Sequence, residues 1–226
     1  MTGLETSPRA WKARHHLDSP STKLCAPGTC ERVLDEIKHW ARDFDKPPIY
    51  WLNGGPKTGK STIARTLVES MSGTELPWMS FFCSRKDQEL SNPELILPAL
   101  AIKLADQHPE FLSSWLLAIE ETLDLDHPHP EIHMKKLILE PLQPSGIEST
   151  VIVIDALDEC ENKETVSQIL STLNTFMSKI RDVKLKFFIT SRPEPHISKG
   201  FSKFEGDHTV FSLHVPGEVL TLEKCD

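Results

Sequence analysis

Long apolar runs are missing from this chain. No stretch of about 18 consecutive apolar residues occurs in its 226 residues, so no membrane-spanning helix is expected. The segment from Met1 to Ser21 is polar and has no apolar central region, so no secretory signal is expected there. Five cysteines (25, 30, 83, 160 and 225) are odd in number and show no CxxC spacing. That pattern argues against a disulfide framework or a zinc site and predicts reduced thiols in a cytoplasmic protein. Positive charge is also in deficit. Lys and Arg number 25 against 33 Asp and Glu, a net charge of −8, which excludes a broad grip on a nucleic-acid backbone. Internal repeats and low-complexity tracts are absent as well.

What is present suits a globular α/β domain: 38% hydrophobic and 26% charged residues, with length for one sizeable core. Residues 1–28 read as a polar, Pro- and Ser-containing lead-in, 29–215 as the folded domain, and 216–226 as a tail. From Thr29 the residues Val33, Leu34, Ile37, Trp40 and Ala41 repeat at helical spacing until Pro47-Pro48. Ile49-Tyr50-Trp51-Leu52 is a short β-branched and aromatic run, the pattern of a buried parallel strand. Ile63, Ala64, Leu67, Val68 and Met71 then resume helical spacing. Further strands are expected at Trp78–Cys83, Val151–Ile154, Leu185–Thr190 and Val210–Val215.

Helices are expected after Asn92-Pro93, over Pro109–Thr122 and Glu131–Glu140, and from Val166 to Ile180, with a loop over Asp124–Pro130. Strands alternating with helices predict an α/β three-layer sandwich around a mainly parallel, five-stranded sheet.

Three strand ends carry polar chemistry. Gly54-Gly55-Pro56-Lys57-Thr58-Gly59-Lys60-Ser61, followed by Thr62, fits the phosphate-loop pattern GxxxxGK[ST] between a strand and a helix. Glycines let successive backbone N–H groups turn toward phosphate oxygens, and the helix N-terminus adds a favourable dipole. Lys60 is placed to reach the β- and γ-phosphates and Ser61 to supply a hydroxyl to Mg²⁺. Lys57 stands where many such loops carry a third glycine. Val151–Ile154 ends in Asp155-Ala156-Leu157-Asp158-Glu159-Cys160. A carboxylate at the end of a central parallel strand faces the crevice where open α/β sheets bind ligands, which makes Asp155 the expected Mg²⁺ partner. Glu159, with its longer reach, or Asp158 is then the group expected to orient a water for attack on the γ-phosphate. Phe187-Phe188-Ile189 ends in Thr190-Ser191-Arg192, placing Arg192 near the same phosphate.

Other candidates read as structural. His127, His129 and His133 lie in a proline-flanked segment without cysteine, which favours solvated histidines over a metal site. Trp40, Trp51, Trp78 and Trp115 fall on apolar faces and are expected in the core.

With these motifs in place the chain resembles the NACHT-type NTPases of the STAND class. The likeness is strongest to the fungal branch carrying a nephrocystin-3-like N-terminal domain. Trp51-Leu52-Asn53-Gly54, Thr58 to Arg65, Ile154 to Cys160 and Ile189 to Glu194 carry it, together with Cys25-Ala26-Pro27-Gly28-Thr29 upstream. It covers about residues 25–215. The resemblance implies ATP as the nucleotide, exchange or hydrolysis as a switch in a larger signalling protein, and roles in self/non-self recognition, programmed death or scaffolding. It also implies that the Thr190 strand lies between the phosphate-loop strand and the Asp155 strand. Departures are Pro56-Lys57 in the loop and Cys30 where an arginine is usual. No winged-helix part, repeat sensor or N-terminal effector is recognisable.

The expectation is therefore a Mg²⁺-dependent ATP-binding switch domain with slow hydrolysis. GTP stays open, because the loop reads phosphates and not the base. The alternative is a truncated interaction or scaffold fragment that associates with itself or with larger NACHT proteins and turns over little nucleotide. No nucleic-acid or membrane partner is expected, and the missing arginine-rich lid argues against a metabolic kinase.

Overall fold

The computed structural model describes residues 23–71, 76, 78–120, 129–177, 184–204, 208–213 and 222–224. Expectations for the lead-in through residue 22, the loop over 124–128, His127, Ile180, Val215 and most of the tail with Cys225 lie outside those residues. In chain order the elements are α1 (Glu31–Arg42), β1 (Ile49–Gly54), α2 (Lys60–Met71), β2 (Trp78–Phe82), α3 (Ile96–Gln107) and α4 (Pro109–Glu120). Then follow α5 (Pro130–His133), α6 (Glu140–Leu142), β3 (Ser149–Asp155), α7 (Lys163–Met177), β4 (Lys184–Ser191), α8 (Pro195–Phe201), β5 (His208–Leu213) and β6 (Leu222–Lys224). Among the described residues no helix is long and apolar enough to cross a membrane.

The chain divides into two compact units. Of the described residues, one comprises 23–71, 76, 78–83, 150–158, 185–204, 208–213 and 222–224 and holds the sheet. Its strand order is β2-β3-β4-β1-β5-β6. The first five strands are the expected parallel set, and the Thr190 strand lies between the other two, as the resemblance implies. β6 adds a short antiparallel edge, pairing Phe211 with Lys224. Its three residues carry too little periodicity to be read from sequence.

Alternation along the strands assigns the two faces of the sheet. Tyr50, Leu52, Val151, Val153, Phe188 and Phe211 share a core with α1 and α2. α1 buries Val33, Leu34, Ile37, Trp40 and Ala41, the residues that carry its helical spacing. Trp51 points the other way and stacks on Phe201 of α8, ring centroids 4.2 Å apart. Helices on both faces make the three-layer α/β sandwich. All four core-assigned tryptophans are buried.

Of the described residues, the second unit comprises 84–120, 129–149, 159–177 and 184, and is mainly helical. Asn92 caps its first turn by accepting from Glu94 N at 3.0 Å, with Pro93 at the first position. That turn, Pro93–Leu95, is 3₁₀, and α3 starts after it. The helix expected over Glu131–Glu140 is present but broken. Met134–Leu139 winds as a π-helical stretch between α5 and α6, and Pro141 follows within α6. Proline lacks an N–H for the regular ladder, which accounts for an irregular winding just before it. His129 caps α5, its Nδ1 accepting from Glu131 N at 3.4 Å.

Candidate functional site

The parallel register sets the site. Asn53 at the end of β1 is level with Ser191 of β4, and Gly54 is level with Leu213 of β5. The C-terminal ends of β1, β3 and β4 thus open on the same edge of the sheet, where ligands of such folds bind.

Gly54 is fixed by packing as much as by the loop. A Cβ there would meet Leu213 O at 2.6 Å and Thr58 Oγ1 at 3.0 Å, so only glycine lets β1 leave the sheet this close to β5. The loop then turns through Lys57 at φ 63° and Gly59 at φ 90° into α2. The left-handed backbone at Lys57 explains why a glycine is common there. Thr58 Oγ1 donates to Gly55 O at 3.0 Å, closing the turn. Lys60 is 9% exposed, and its Nζ donates to Gly54 O at 2.8 Å and Gly55 O at 2.7 Å, with Thr58 Oγ1 at 3.2 Å. Burial lowers its pKa, while Asp158 and Asp155 pull it back up. One turn along α2 from Ser61, the Arg65 guanidinium lies 5.6 Å from the centre of the Phe82 ring.

Asp155 is 3% exposed. Its Oδ1 accepts from Thr190 Oγ1 at 2.5 Å, and the nearby Ser61 hydroxyl favours its charged form. Burial pushes its carboxyl up to about 6, against the pull of Thr190, Ser61 and Lys60. A hydroxyl and a carboxylate side by side are hard oxygen donors, the set that suits Mg²⁺ held by one or two protein groups. A cation there would also offset the burial of the carboxylate. The donor chemistry fits.

Ala156 follows at φ 55°, turning the chain so that its N–H donates to Thr190 Oγ1 at 2.9 Å. The short 3₁₀ turn Leu157–Glu159 then aims Asp158 at β4. Asp158 Oδ1 accepts from Arg192 N at 2.9 Å, and Oδ2 lies 3.2 Å from Arg192 Nε. Asp158, expected to serve a water, is thus bonded to Arg192. Glu159 belongs to the helical unit. There it accepts from Arg85 N at 3.1 Å and lies 4.0 Å from the Arg85 guanidinium.

The structure therefore brings Lys60, Ser61, Asp155, Asp158 and Arg192 together within one compact unit. Sequence reasoning missed the linking role of Thr190, because a threonine in a β-strand run looks like ordinary strand composition. It also missed a second buried ammonium at the other end of β4. Lys186 is 1% exposed, and its Nζ donates at 2.5 Å to Trp40 O and to Asp43 O at the end of α1. The Trp40 and Phe44 ring centres lie 4.6 and 5.2 Å from the same nitrogen. The only sequence signal was a lysine interrupting the apolar run Leu185-Lys186-Phe187.

The model of the family described as nephrocystin 3, N-terminal, matches residues 28–192. The vegetative incompatibility protein HET-E-1 of Podospora anserina is 24% identical over 168 residues, which are 73% of this chain and 12% of that protein. This chain thus spans a small part of the relative's length. Among solved structures, the Aeropyrum pernix ORC1 protein, determined in complex with DNA, is 12% identical with a TM-score of 0.49, over 90% of this chain and 50% of that one. The cytoplasmic domain of the type VII secretion ATPase EccC of Thermomonospora curvata is 12% identical with a TM-score of 0.39, over 77% and 20% of the two chains.

Proposed function

The chain belongs to the nephrocystin 3, N-terminal, family, and from that premise we propose that it is a nucleotide-operated switch domain binding ATP with Mg²⁺. The observation that carries this is the pairing of Lys60 with Asp155. One side chain is an ammonium and the other a carboxylate beside Ser61, and both are nearly buried at the end of the same sheet. Two buried opposite charges beside a glycine turn and a helix N-terminus suit a polyanion with a divalent cation.

Lys60 exchanges the carbonyls of Gly54 and Gly55 for phosphate oxygens, while the turn from Gly54 to Thr62 wraps the phosphates with its N–H groups. Ser61 and Asp155 hold Mg²⁺, with Thr190 orienting the carboxylate. When bound, Mg²⁺ supplies charge neutralisation on the terminal phosphates. Arg192 is the group that distinguishes triphosphate from diphosphate, because a γ-phosphate competes with Asp158 for its guanidinium.

Titration of Mg·ATP into the purified chain and into Lys60→Ala tests the reading. Loss of at least tenfold in affinity is expected, and equal affinity would sink it. GTP in competition decides the base.

One observation favours a second reading, binding of relatives with little turnover: Glu159 is engaged by Arg85. Nucleotide turnover that disappears in Glu159→Gln would rule that reading out.

A further inference from the structure

Cys25 and Cys30 stand on either side of a tight reversal. Ala26-Pro27-Gly28-Thr29 forms a turn in which Thr29 N donates to Ala26 O at 3.0 Å and Thr29 Oγ1 donates to the same oxygen at 2.6 Å. Proline followed by a glycine at φ 80° is the pattern of a type II turn, which brings the flanking residues face to face. After burial, the neighbouring Cys25 side chain is what raises the Cys30 thiol. Both are half-buried and free, and they pack against the core formed by α1, α2 and the sheet.

Local structure does not account for a cysteine at position 30. It occupies the cap position of α1 without giving the helix a side-chain hydrogen bond, and its backbone sits at φ 61°. Serine, threonine, asparagine or aspartate would cap better, and asparagine would tolerate that backbone better. Cys25 is anchored to the helix that follows the phosphate loop. Its N–H donates to Thr66 Oγ1 at 2.9 Å, and Thr66 Oγ1 in turn donates to Thr62 O at 2.7 Å.

We propose that Cys25 and Cys30 are a redox-modification site, a reversible intrachain disulfide that staples the segment before α1 in place against α2. The oxidant is a small-molecule disulfide of the glutathione class. The Cys25 thiolate attacks it, forming a mixed disulfide and releasing one thiol. Cys30 then attacks Cys25 Sγ, closing the protein disulfide and releasing the second. Two protein thiols are oxidised and one small disulfide is reduced to two thiols, so electrons and protons balance. Burial pushes the Cys30 thiol up to about 11, which makes it the slower nucleophile and the resolving partner. Cys83 and Cys160 are buried at 5% and 8% exposure, so the reaction is selective among the described cysteines.

The test uses the full chain equilibrated over a range of reduced-to-oxidised glutathione, alkylated and digested with trypsin. Cleavage after Lys23 and Arg32 leaves Cys25 and Cys30 in one peptide with no other cysteine. The expected product is that peptide unalkylated and two hydrogens lighter, restored by dithiothreitol. A thermal midpoint roughly 3–6 °C above that of the reduced chain is expected with it. Cys25→Ser and Cys30→Ser should each abolish both changes and leave a glutathione adduct on the remaining cysteine. The proposal is overturned if the peptide stays doubly alkylated where a glutaredoxin dithiol run alongside is fully oxidised. It is also overturned if each cysteine carries its own glutathione, or if the disulfide forms and the midpoint does not rise.

Discussion

Thr190 Oγ1 donates to Asp155 Oδ1 at 2.5 Å and accepts from Ala156 N at 2.9 Å. One hydroxyl on β4 thus orients the carboxylate at the end of β3 and satisfies the first backbone donor beyond it. Thr190→Val keeps the shape and removes both bonds, leaving a buried carboxylate short of a donor and an N–H short of an acceptor. A loss of about 1–3 kcal/mol in urea unfolding is expected, with weaker Mg·ATP binding. Thr190→Ser should restore most of both. If the valine variant matches the native chain in stability, the bridge contributes nothing.

Asp155 is a buried carboxylate held at a cost. Its ordinary value is 3.8 and its folded value about 6. Between those values the folded chain keeps a proton that the unfolded chain has released. The stability this group contributes is therefore fully present below about pH 4 and is lost as pH rises through about 6. Without nucleotide, Asp155→Asn should be more stable than the native chain at pH 7.5, by about 1–3 kcal/mol. The difference should close toward pH 4. Adding Mg·ATP should reverse the order, because only the native chain gains binding energy. A variant less stable than the native chain at pH 7.5 without ligand would contradict the strain assigned to this carboxylate.

Much of this was legible because periodicity and chemistry coincide along the chain. The helical spacing of Val33 to Ala41, the strands before Gly54 and Asp155, and the cap at Asn92 each reflect a local rule that tertiary packing did not override. The π-helical stretch at Met134–Leu139 escaped because a helical pattern does not encode how many residues each turn holds. α8 escaped for another reason. Its seven residues bury chiefly Ile197 and Phe201, too few to establish a period. The site was legible as three strand ends, but not in its pairings. Which partner Asp158 or Glu159 chooses depends on a 3₁₀ turn that sends neighbouring carboxylates to Arg192 and Arg85.

Lys57 is a local cost in the phosphate loop. A lysine at φ 63° adopts a backbone that β-carbon contacts disfavour. Lys57→Gly should therefore raise stability by about 0.5–1 kcal/mol in thermal unfolding, the relief of strain being partly offset by the freer unfolded chain. Lys57→Ala keeps the Cβ and should leave stability unchanged. Comparing nucleotide affinity in the two variants separates the effect of charge, lost in both, from the effect of backbone freedom, gained in one. Equal stability of the glycine and alanine variants would show that the loop relaxes around its side chain.

Lys186 ties β4 to the end of α1 through Trp40 O and Asp43 O. Burial lowers its pKa from 10.5 to about 8. Between those values the unfolded chain binds a proton that the folded chain has released, so stability from this group rises with pH across that window. Lys186→Met leaves the two carbonyls without this donor, and a loss of about 1–3 kcal/mol at pH 7 is expected. The gap between native chain and variant should widen from pH 8 toward 10.5, where the native chain no longer carries the buried charge. Urea denaturation at three pH values measures it, and a constant gap would rule out a lowered lysine.

In the proposed switch, the contact between Asp158 and Arg192 is the one a nucleotide would change. Asp158 is almost wholly buried and the Arg192 side chain is 40% exposed, so the carboxylate is fixed and the guanidinium is the partner free to move. The guanidinium end of the pair is partly screened by solvent, so a γ-phosphate carrying more charge can win the competition. Arg192→Ala should erase the preference for ATP over ADP. Asp158→Asn removes the competing charge while keeping an acceptor for Arg192 N, and should raise that preference about threefold to tenfold. Parallel titrations of the two nucleotides in Mg²⁺ give both ratios. Should Arg192→Ala keep the native ratio, the arginine is an ordinary surface partner of Asp158, and discrimination must come from Lys60 and the cation alone.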